Sequence, residues 1–260
     1  MIQQITLRFA AVDDTAWPGI PEQELHASSL QGLLFQTALP LYSAAEAAWL
    51  HEHPSPKPYA LAPLYGPGRA LRGLRISSWS ARATEALLEG WQRVYEQGVV
   101  LQLGQRNRFV VEEGRYATAV PFMRLLATKP RPNMTLHFIS PTAFRRGPRR
   151  LHLPLPANVF ARPAQVWQTY APESLRLPDD WGDWCEQHVM AHTLHIHTRQ
   201  APLNANAFFI GFVGRVTFTV QGQQEEYIRL WQGLGRLAAC CGIGYKTTMG
   251  LGAVRYRIYD

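Results

Sequence analysis

A histidine and a lysine lie six residues apart in the first quarter of the chain, at His51 and Lys57. An imidazole exchanges protons near neutral pH because its unperturbed pKa is about 6.5, and an ammonium group stabilises developing negative charge. The pair is therefore a candidate for acid–base chemistry on an anionic substrate. The alternative is structural, because a histidine in the last turn of a helix also interacts favourably with the helix dipole.

A glycine-rich run near the C-terminus has the spacing G-x-G-x5-G-x-G. Its glycines and the polar residues between them are Gly242, Gly244, Lys246, Thr247, Gly250 and Gly252. Closely spaced glycines let backbone amides approach an anion, so the run predicts a phosphate contact. A dinucleotide-binding loop differs, because its G-x-G-x-x-G follows a strand. The other interpretation is a tight turn that packs against the first half of the molecule.

Two groups of arginines are candidates for binding a phosphate backbone. The first surrounds a Gly-Pro turn and is expected to form the tip of a hairpin, with Arg145, Arg146, Arg149 and Arg150. The second is expected to alternate along one face of a strand, with Arg69, Arg72 and Arg75. Guanidinium groups bind phosphate oxygens in pairs. Charge that only faces solvent is the alternative for both groups.

Four histidines in the second half suggest a metal site before their surroundings are considered. They are His188, His192, His195 and His197. The first two have a spacing that places both on one helix face, and the last two share a strand face. Because no acidic or cysteine ligand completes the set nearby and H-E-x-x-H is absent, we expect no metal and no other cofactor. Histidines that are satisfied internally or face RNA are the preferred interpretation.

The charge balance favours an anionic partner. The chain has 26 lysines and arginines against 19 aspartates and glutamates, a formal net charge of +7. Only Lys57, Lys129 and Lys246 are lysines, and the resulting arginine bias suits RNA, whose phosphates and bases both bind guanidinium groups. A GC-rich gene would produce the same bias.

The composition predicts a soluble, cytoplasmic protein. The three cysteines include an adjacent pair and form no C-x-x-C motif, which is typical of a reduced compartment. The first residues alternate in polarity and lack the apolar run of a signal peptide. No stretch approaches the roughly 20 apolar residues of a membrane span, so no membrane partner is expected.

The periodicity of apolar residues predicts two α+β domains in tandem. In the first half it predicts strands at 2–9, 59–65, 71–79 and 99–103 and helices at 25–39, 43–51 and 80–98, with 108–112 pairing with a later segment. In the second half it predicts strands at 134–139, 193–198, 208–220 and 253–259 and helices at 156–170, 180–189 and 225–241. The order βαββαβ is that of a ferredoxin-like, RRM-like domain. We expect domains at 1–128 and 134–260, joined by a proline-rich basic linker at 129–133.

Four separated motifs make the chain resemble a known family. They are the glycine-rich run at 242–252, the segment F-I-S-P-T at 138–142 before the basic hairpin, G-F-V-G-R-V at 211–216, and L-Q-G-L-L-F at 30–35 followed by W-L-H-E at 49–52 and Lys57. In this order they resemble the CRISPR-associated repeat-processing endoribonucleases of the RAMP (repeat-associated mysterious protein) superfamily. The resemblance covers nearly the whole chain.

The resemblance implies a metal-independent endoribonuclease that cuts precursor CRISPR RNA within its repeats. In that family the 2′-hydroxyl upstream of the cut attacks the phosphate, leaving a 2′,3′-cyclic phosphate and a 5′-hydroxyl. It implies that His51 transfers protons, that Lys57 stabilises the phosphate, and that His26 is the next candidate. Some members have a tyrosine at the position of Phe35, which puts a triad in doubt. Tyr42 and His53 are further candidates for the missing role.

Other functions and partners stay open at this stage. The same superfamily contains RNA-binding subunits of CRISPR effector complexes that do not cut RNA, and Phe35 is compatible with such a role. A metal-dependent nuclease built on the four histidines is a third interpretation. The expected partner is repeat RNA, with effector-complex subunits and a second copy of the chain as further expectations drawn from the family.

Overall fold

The computed structural model describes residues 1–12, 17–222 and 224–257. In these ranges the strands are β1 Gln3–Ala10, β2 Ile20–Pro21, β3 Tyr59–Tyr65, β4 Ala70–Ser78, β5 Leu101–Leu103, β6 Asn107–Tyr116, β7 Asn133–Thr142, β8 Phe144–Arg146, β9 Arg149–Leu151, β10 Val189–Asn204, β11 Ala207–Val220 and β12 Val254–Arg257. The α-helices are α1 Ala27–Gly32, α2 Leu39–Tyr42, α3 Ala44–Glu52, α4 Ala81–Glu96, α5 Pro156–Tyr170, α6 Trp181–His188 and α7 Glu225–Cys241. A π-helical segment, Leu33–Ala38, joins α1 to α2.

The first sheet is antiparallel, with the strand order β2-β4-β1-β6-β5 and with β3 also paired to β4. Alternate residues of β1 (Ile5, Leu7 and Phe9) point into the core, because successive side chains of a strand face opposite sides. The amphipathic helix α4 covers this face with Leu87 and Trp91, both fully buried. The order of the four long strands, β3-β4-β1-β6, is that of a ferredoxin-like domain.

The second sheet repeats this arrangement, with the strand order β10-β11-β7-β12. Its core side carries Leu136 and Val216, which pack with the buried rings of Trp167 in α5 and Trp231 in α7. Both sheets therefore have the same antiparallel order and are covered by helices on one side. This confirms the fold of two tandem ferredoxin-like domains predicted from the order of elements.

Most predicted elements are present, and two predictions are corrected. Strand β10 is much longer than the predicted 193–198, because it continues the pairing with β11 into a long hairpin. The expectation that 108–112 pairs with a later segment is wrong, since β6 pairs with β1 and β5, which both precede it. Of the closing strand predicted at 253–259, residues 258 and 259 lie outside the described residues.

The segment before the linker packs against the second domain. Phe122 makes an edge-to-face contact with Trp167, with ring centroids 5.4 Å apart. Arg236 of α7 donates a hydrogen bond to the carbonyl of Leu125 at 2.6 Å. These contacts tie the end of the first half to the second core, and the division at 128/129 stays a prediction. None of the helices in the described ranges is long and apolar enough to cross a membrane.

Candidate functional site

His51 and Lys57 lie together where α3 turns into β3. Ser43 begins α3, because its hydroxyl accepts a hydrogen bond from the amide of Glu46 at 3.3 Å. His51 lies in the last turn of this helix and its side chain is exposed. The chain then folds back so that Lys57 Nζ donates to the carbonyl of His51 at 2.5 Å. An imidazole and an ammonium group are thus presented at one edge of the first domain, and partial burial lowers the pKa of Lys57.

Phe35 packs directly against His51. The π-helical segment carries this ring to an edge-to-face contact, with ring centroids 5.1 Å apart, and its other neighbour is Tyr59 at 6.2 Å. Tyr59 is fully buried, accepts a hydrogen bond from Gln31 at 3.3 Å, and has a pKa raised by burial to about 12. Phe35 therefore orients His51 by packing and brings no hydroxyl to it.

The other proton-transfer candidates lie in different surroundings. His26 precedes α1, nine residues before Phe35, which corresponds to about 13 Å along a helix. His53 Nδ1 lies 2.8 Å from the carbonyl of Pro54, and its ring packs on Trp49. Tyr42 donates to the carboxylate of Glu85 at 3.0 Å. The roles of His26, His53 and Tyr42 in proton transfer stay predictions.

The glycine-rich loop folds tightly and rests on the first domain. Gly242, Gly244, Gly250 and Gly252 all have positive φ, and a Cβ on Gly250 would lie 2.8 Å from Leu30 Cδ1. Many of its amides donate within the second domain, among them Ile243 to Gly252 O, Tyr245 to Ala143 O, Met249 to Lys246 O and Gly252 to Pro141 O. These amides are not free for an anion. Phosphate binding by the loop stays a prediction, and Lys246 is its best-placed donor, since Thr247 is buried and the Thr248 side chain hydrogen-bonds to Tyr59.

The predicted arginine hairpin is present beside this loop. Strands β8 and β9 pair Arg145 with Arg150 and Arg146 with Arg149, and Gly147 at the turn has a φ of 60°. Arg145 lies over the ring of Tyr245 and Arg150 over that of Phe209, at 5.8 and 5.7 Å from the ring centres. Burial and these two arginines lower the pKa of Lys246. The hairpin and the loop therefore form one continuous positive surface.

The second group of arginines is arranged differently from the prediction. Arg69 lies in the turn before β4 and pairs with Glu22, so the expectation that all three alternate along one strand is wrong. Arg72 donates to the carbonyl of Trp17, and Arg75 donates to that of Ala239 in α7 at 2.9 Å. Each guanidinium group already binds an acceptor of the protein. Contact of these arginines with RNA stays a prediction. Fewer of their N–H groups are available to bind a phosphate, because some already bind acceptors of the protein.

A basic row that the sequence reasoning missed crosses the second sheet. Directly opposed residues on the four strands are His195, Arg215, His137 and Arg255. The row lies on the face away from α5 and α7, and Arg257 follows Arg255 on the same face two residues later. Within the described ranges, none of these three arginines forms an ion pair. The alternation of side chains along each strand predicts which residues face outward. Only the register of the paired strands shows that these four lie side by side.

The four histidines considered as metal ligands do not converge. His188 Nδ1 lies 3.0 Å from the carbonyl of Gln221, His192 contacts the hydroxyl of Thr193, and His197 lies beside Arg199. Across the described part of the chain, no group of three or more histidine, cysteine, aspartate or glutamate side chains is arranged to hold a metal ion.

Comparison with known protein families gives a match within the second half of the chain. Residues 136–254 match the model of the CRISPR-associated endoribonuclease Cas6 family. Over these residues the second half of this chain is similar to the Cas6 family. The matched region includes the F-I-S-P-T segment, the basic hairpin and the glycine-rich loop, which confirms the family resemblance drawn from the sequence. No curated protein matches the chain in sequence.

Solved Cas6 structures share the fold over the whole chain. A Cas6 product complex is 24% identical with a TM-score of 0.80, covering 99% of this chain and 100% of that chain. Cas6 from Thermus thermophilus is 23% identical with a TM-score of 0.72, covering 99% and 98%. A Cas6-related protein from Pyrococcus furiosus is 14% identical with a TM-score of 0.60, covering 100% of both chains. The first domain, which the family model does not cover, therefore also has the Cas6 fold.

Proposed function

We propose that this protein is a metal-independent endoribonuclease that cuts precursor CRISPR RNA within its repeats. The observation that carries the proposal is the adjacency of His51 and Lys57 at an exposed edge of a Cas6 fold. The Cas6 family model over the second domain supports RNA cleavage as the activity. One solved neighbour is a complex of a Cas6 with its product, which supports RNA as the ligand of this fold.

The reaction needs only groups of this type. The 2′-hydroxyl before the cut loses a proton and attacks the adjacent phosphorus, and the 5′-oxygen of the next nucleotide leaves and gains a proton. The products are a 2′,3′-cyclic phosphate and a 5′-hydroxyl. His51 exchanges protons with the reacting oxygens, and Lys57 stabilises the additional charge on the phosphate. Phe35 fixes the imidazole ring by packing.

Three basic features supply the surface for the repeat. The arginine hairpin and Lys246 suit a folded stem, because duplex RNA is recognised mainly through its phosphates and shape. The row of Arg215, His137 and Arg255 suits an unpaired segment of the same strand. Glycines of the loop keep Lys246 at the junction of the two domains, since the loop packs on Leu30 of the first domain.

Cleavage of the repeat RNA from the same locus in EDTA tests the proposal. Wild-type protein should make one cut, and His51→Ala should lower the single-turnover rate by roughly 10²- to 10⁴-fold because proton transfer is lost. Lys57→Ala should lower it while leaving RNA affinity nearly unchanged. A deoxyribose before the cut should abolish cleavage and preserve binding, because the nucleophile belongs to the substrate.

Matched controls separate His51 from its neighbours. His192→Ala removes an exposed histidine on β10 and should cut at the wild-type rate. His26→Ala tests whether the histidine before α1 shares the chemistry. If wild-type protein leaves the repeat intact in EDTA, or if the variant lacking both His51 and His26 cuts normally, the assignment is wrong.

A second candidate is an RNA-binding subunit that does not cut. Phe35 favours it, because the ring against His51 lacks a hydroxyl that could take part in proton transfer. Tight binding of the repeat with no cleavage under any metal condition would select this function. Assembly with effector-complex subunits, dimerisation and a cytoplasmic location stay expectations from the family and the composition.

A further inference from the structure

The segment that carries Lys57 has few backbone donors of its own. It runs from His53 to Pro58 between α3 and β3 and contains prolines at 54, 56 and 58. A proline has no amide hydrogen, so half of the segment's residues cannot donate to a backbone ladder. Its carbonyls remain as acceptors. Apart from His53 Nδ1, which lies 2.8 Å from the carbonyl of Pro54, the donors to these carbonyls come from neighbouring elements.

One such donor comes from the second domain. The hydroxyl of Tyr170, the last residue of α5, donates to the carbonyl of Pro56 at 2.7 Å. Burial raises the pKa of Tyr170 to about 12, so the phenol keeps its proton at neutral pH and stays a donor. Pro56 directly precedes Lys57 in the chain. The bond thus crosses the domain boundary and ends one residue from the candidate phosphate-stabilising group.

The ring of Tyr170 is also fixed by the first domain. It packs edge-on against Trp79, with ring centroids 6.3 Å apart, and against His53 at 6.5 Å. Trp79 is buried, and its amide donates to the carbonyl of Pro58 at 3.2 Å. The carbonyls of Pro56 and Pro58 therefore accept hydrogen bonds from two residues, Tyr170 and Trp79, whose rings are in contact. Lys57, between them, folds back to His51.

Helix α5 contacts the glycine-rich loop through a second residue. Arg162, two turns before Tyr170, donates to the carbonyl of Cys241 at 3.1 Å, at the point where α7 ends and the loop begins. A second nitrogen of this guanidinium group is buried without a hydrogen-bond partner. One helix of the second domain therefore contacts both the start of the glycine-rich loop and the segment that carries Lys57.

We infer that Tyr170 is a positioning residue that holds the His53–Pro58 segment so that Lys57 meets the scissile phosphate. This rests on the proposed function. The hydroxyl of Tyr170 supplies the interdomain hydrogen bond, and the packing of the Tyr170 ring sets the direction of that bond. Catalysis depends steeply on the placement of charged groups around the phosphate. A residue of the second domain therefore affects the reaction, although His51 and Lys57 both belong to the first domain.

Replacement of the hydroxyl alone tests this role. Tyr170→Phe keeps the ring and should lower the single-turnover cleavage rate on the order of five- to tenfold, as expected for one lost hydrogen bond. The dissociation constant for 2′-deoxy repeat RNA should stay within about twofold, because no RNA-binding group is removed. Tyr227→Phe is the matched control, since its hydroxyl donates to the side chain of Asp180 and not to a carbonyl of this segment. It should leave both quantities unchanged.

A double-mutant cycle separates positioning from general loss of structure. In a Lys57→Ala background the Tyr170→Phe substitution should have little further effect on the rate, because the group it positions is gone. Equal losses in both backgrounds would overturn the inference. So would a wild-type cleavage rate for Tyr170→Phe.

Hydrogen exchange provides a readout that does not depend on activity. The amides of Ser55 and Lys57 should exchange faster in Tyr170→Phe than in wild type or Tyr227→Phe. Unchanged exchange would overturn the inference even if cleavage fell. A wild-type protein that cuts no repeat would instead remove the proposed function, while exchange would still show whether Tyr170 holds the segment.

Discussion

The two sheets carry arginines in opposite circumstances. Beside the first sheet, Arg69 pairs with Glu22 and Arg75 donates to Ala239 O, so protein acceptors already occupy these groups. On the second sheet, Arg215 and Arg255 flank His137 and are exposed, with no ion pair in the ranges described. Their positive charges lie on the two strands beside β7, and an anion bound between them offsets their repulsion.

This difference between the two sheets shows that the spacing of arginines along a strand does not by itself predict that they bind an RNA backbone. The deciding quantity is the set of acceptors around each guanidinium group. Arg69 also donates to the carbonyl of Ile139 at 2.9 Å, and Arg199 of β10 lies 3.4 Å from Glu22. Arg69 and Arg75 therefore join the two domains, whereas Arg215 and Arg255 are available to a ligand.

The largest effect should follow from removing the basic row of the second sheet. The variant with Arg215→Ala, Arg255→Ala and Arg257→Ala should bind 2′-deoxy repeat RNA on the order of 10²-fold more weakly, because three charge-assisted contacts are lost. The slope of log affinity against log salt should fall by about 2, as expected for three single-strand phosphate contacts. Fluorescence anisotropy across a salt series measures both quantities.

The control for this variant is a triple substitution elsewhere. Arg8, Arg106 and Arg108 are arginines of the first domain, and their replacement by alanine changes the net charge equally. If the two triple variants lose the same affinity and salt slope, the row is only part of a general positive charge. Thermal unfolding of the second-sheet variant should occur at or above the wild-type temperature, because repulsion is relieved.

Replacing Arg69 is expected to have a smaller effect, and to lower the stability of the protein while RNA affinity changes little. Arg69→Met leaves the carboxylate of Glu22, with 12% of its side chain exposed, with a weaker partner in Arg199. The free energy of unfolding should fall by about 1–3 kcal/mol, the usual cost of an unsatisfied buried polar group. Urea denaturation measures this loss, and RNA affinity should change little.

The double variant Glu22→Gln with Arg69→Met sharpens that result. Removing both charges should restore much of the lost stability, because no uncompensated carboxylate remains. A large loss of RNA affinity in Arg69→Met, at unchanged stability, would show that Arg69 contacts RNA directly. The contrast between the two sheets would then be wrong for this residue.

Secondary-structure elements that depend on local sequence patterns were predicted well. Surfaces that form only when distant strands pair in a particular register were predicted poorly. Helices α5 and α7 match the predicted 156–170 and 225–241, since their apolar spacing is regular. The basic hairpin was predictable from four arginines around a Gly-Pro turn. His137 and Arg255 are far apart in the chain and meet only because β7 pairs with β12. Likewise, no local pattern shows that Tyr170 reaches Pro56.

The smallest effect concerns the pH dependence of RNA binding through His137. Partial burial and then Arg255, Arg257, Arg215 and Arg69 lower the pKa of His137, so the free protein holds this imidazole neutral at pH 7. Bound phosphates would offset the arginines and raise that pKa. The complex then binds more protons than the free partners, and affinity should increase as the pH falls from about 7.5 to 5.5, by roughly two- to fivefold.

His137→Gln isolates this contribution from every other titrating group. Its affinity for 2′-deoxy repeat RNA should rise less between pH 7.5 and 5.5 than that of wild type, and the difference is the part due to His137. His192→Gln, an exposed histidine outside the row, should keep the full pH dependence. Identical pH profiles for wild type and His137→Gln would mean that phosphate does not reach His137, and the contrast between the sheets would then rest on Arg215 and Arg255 alone.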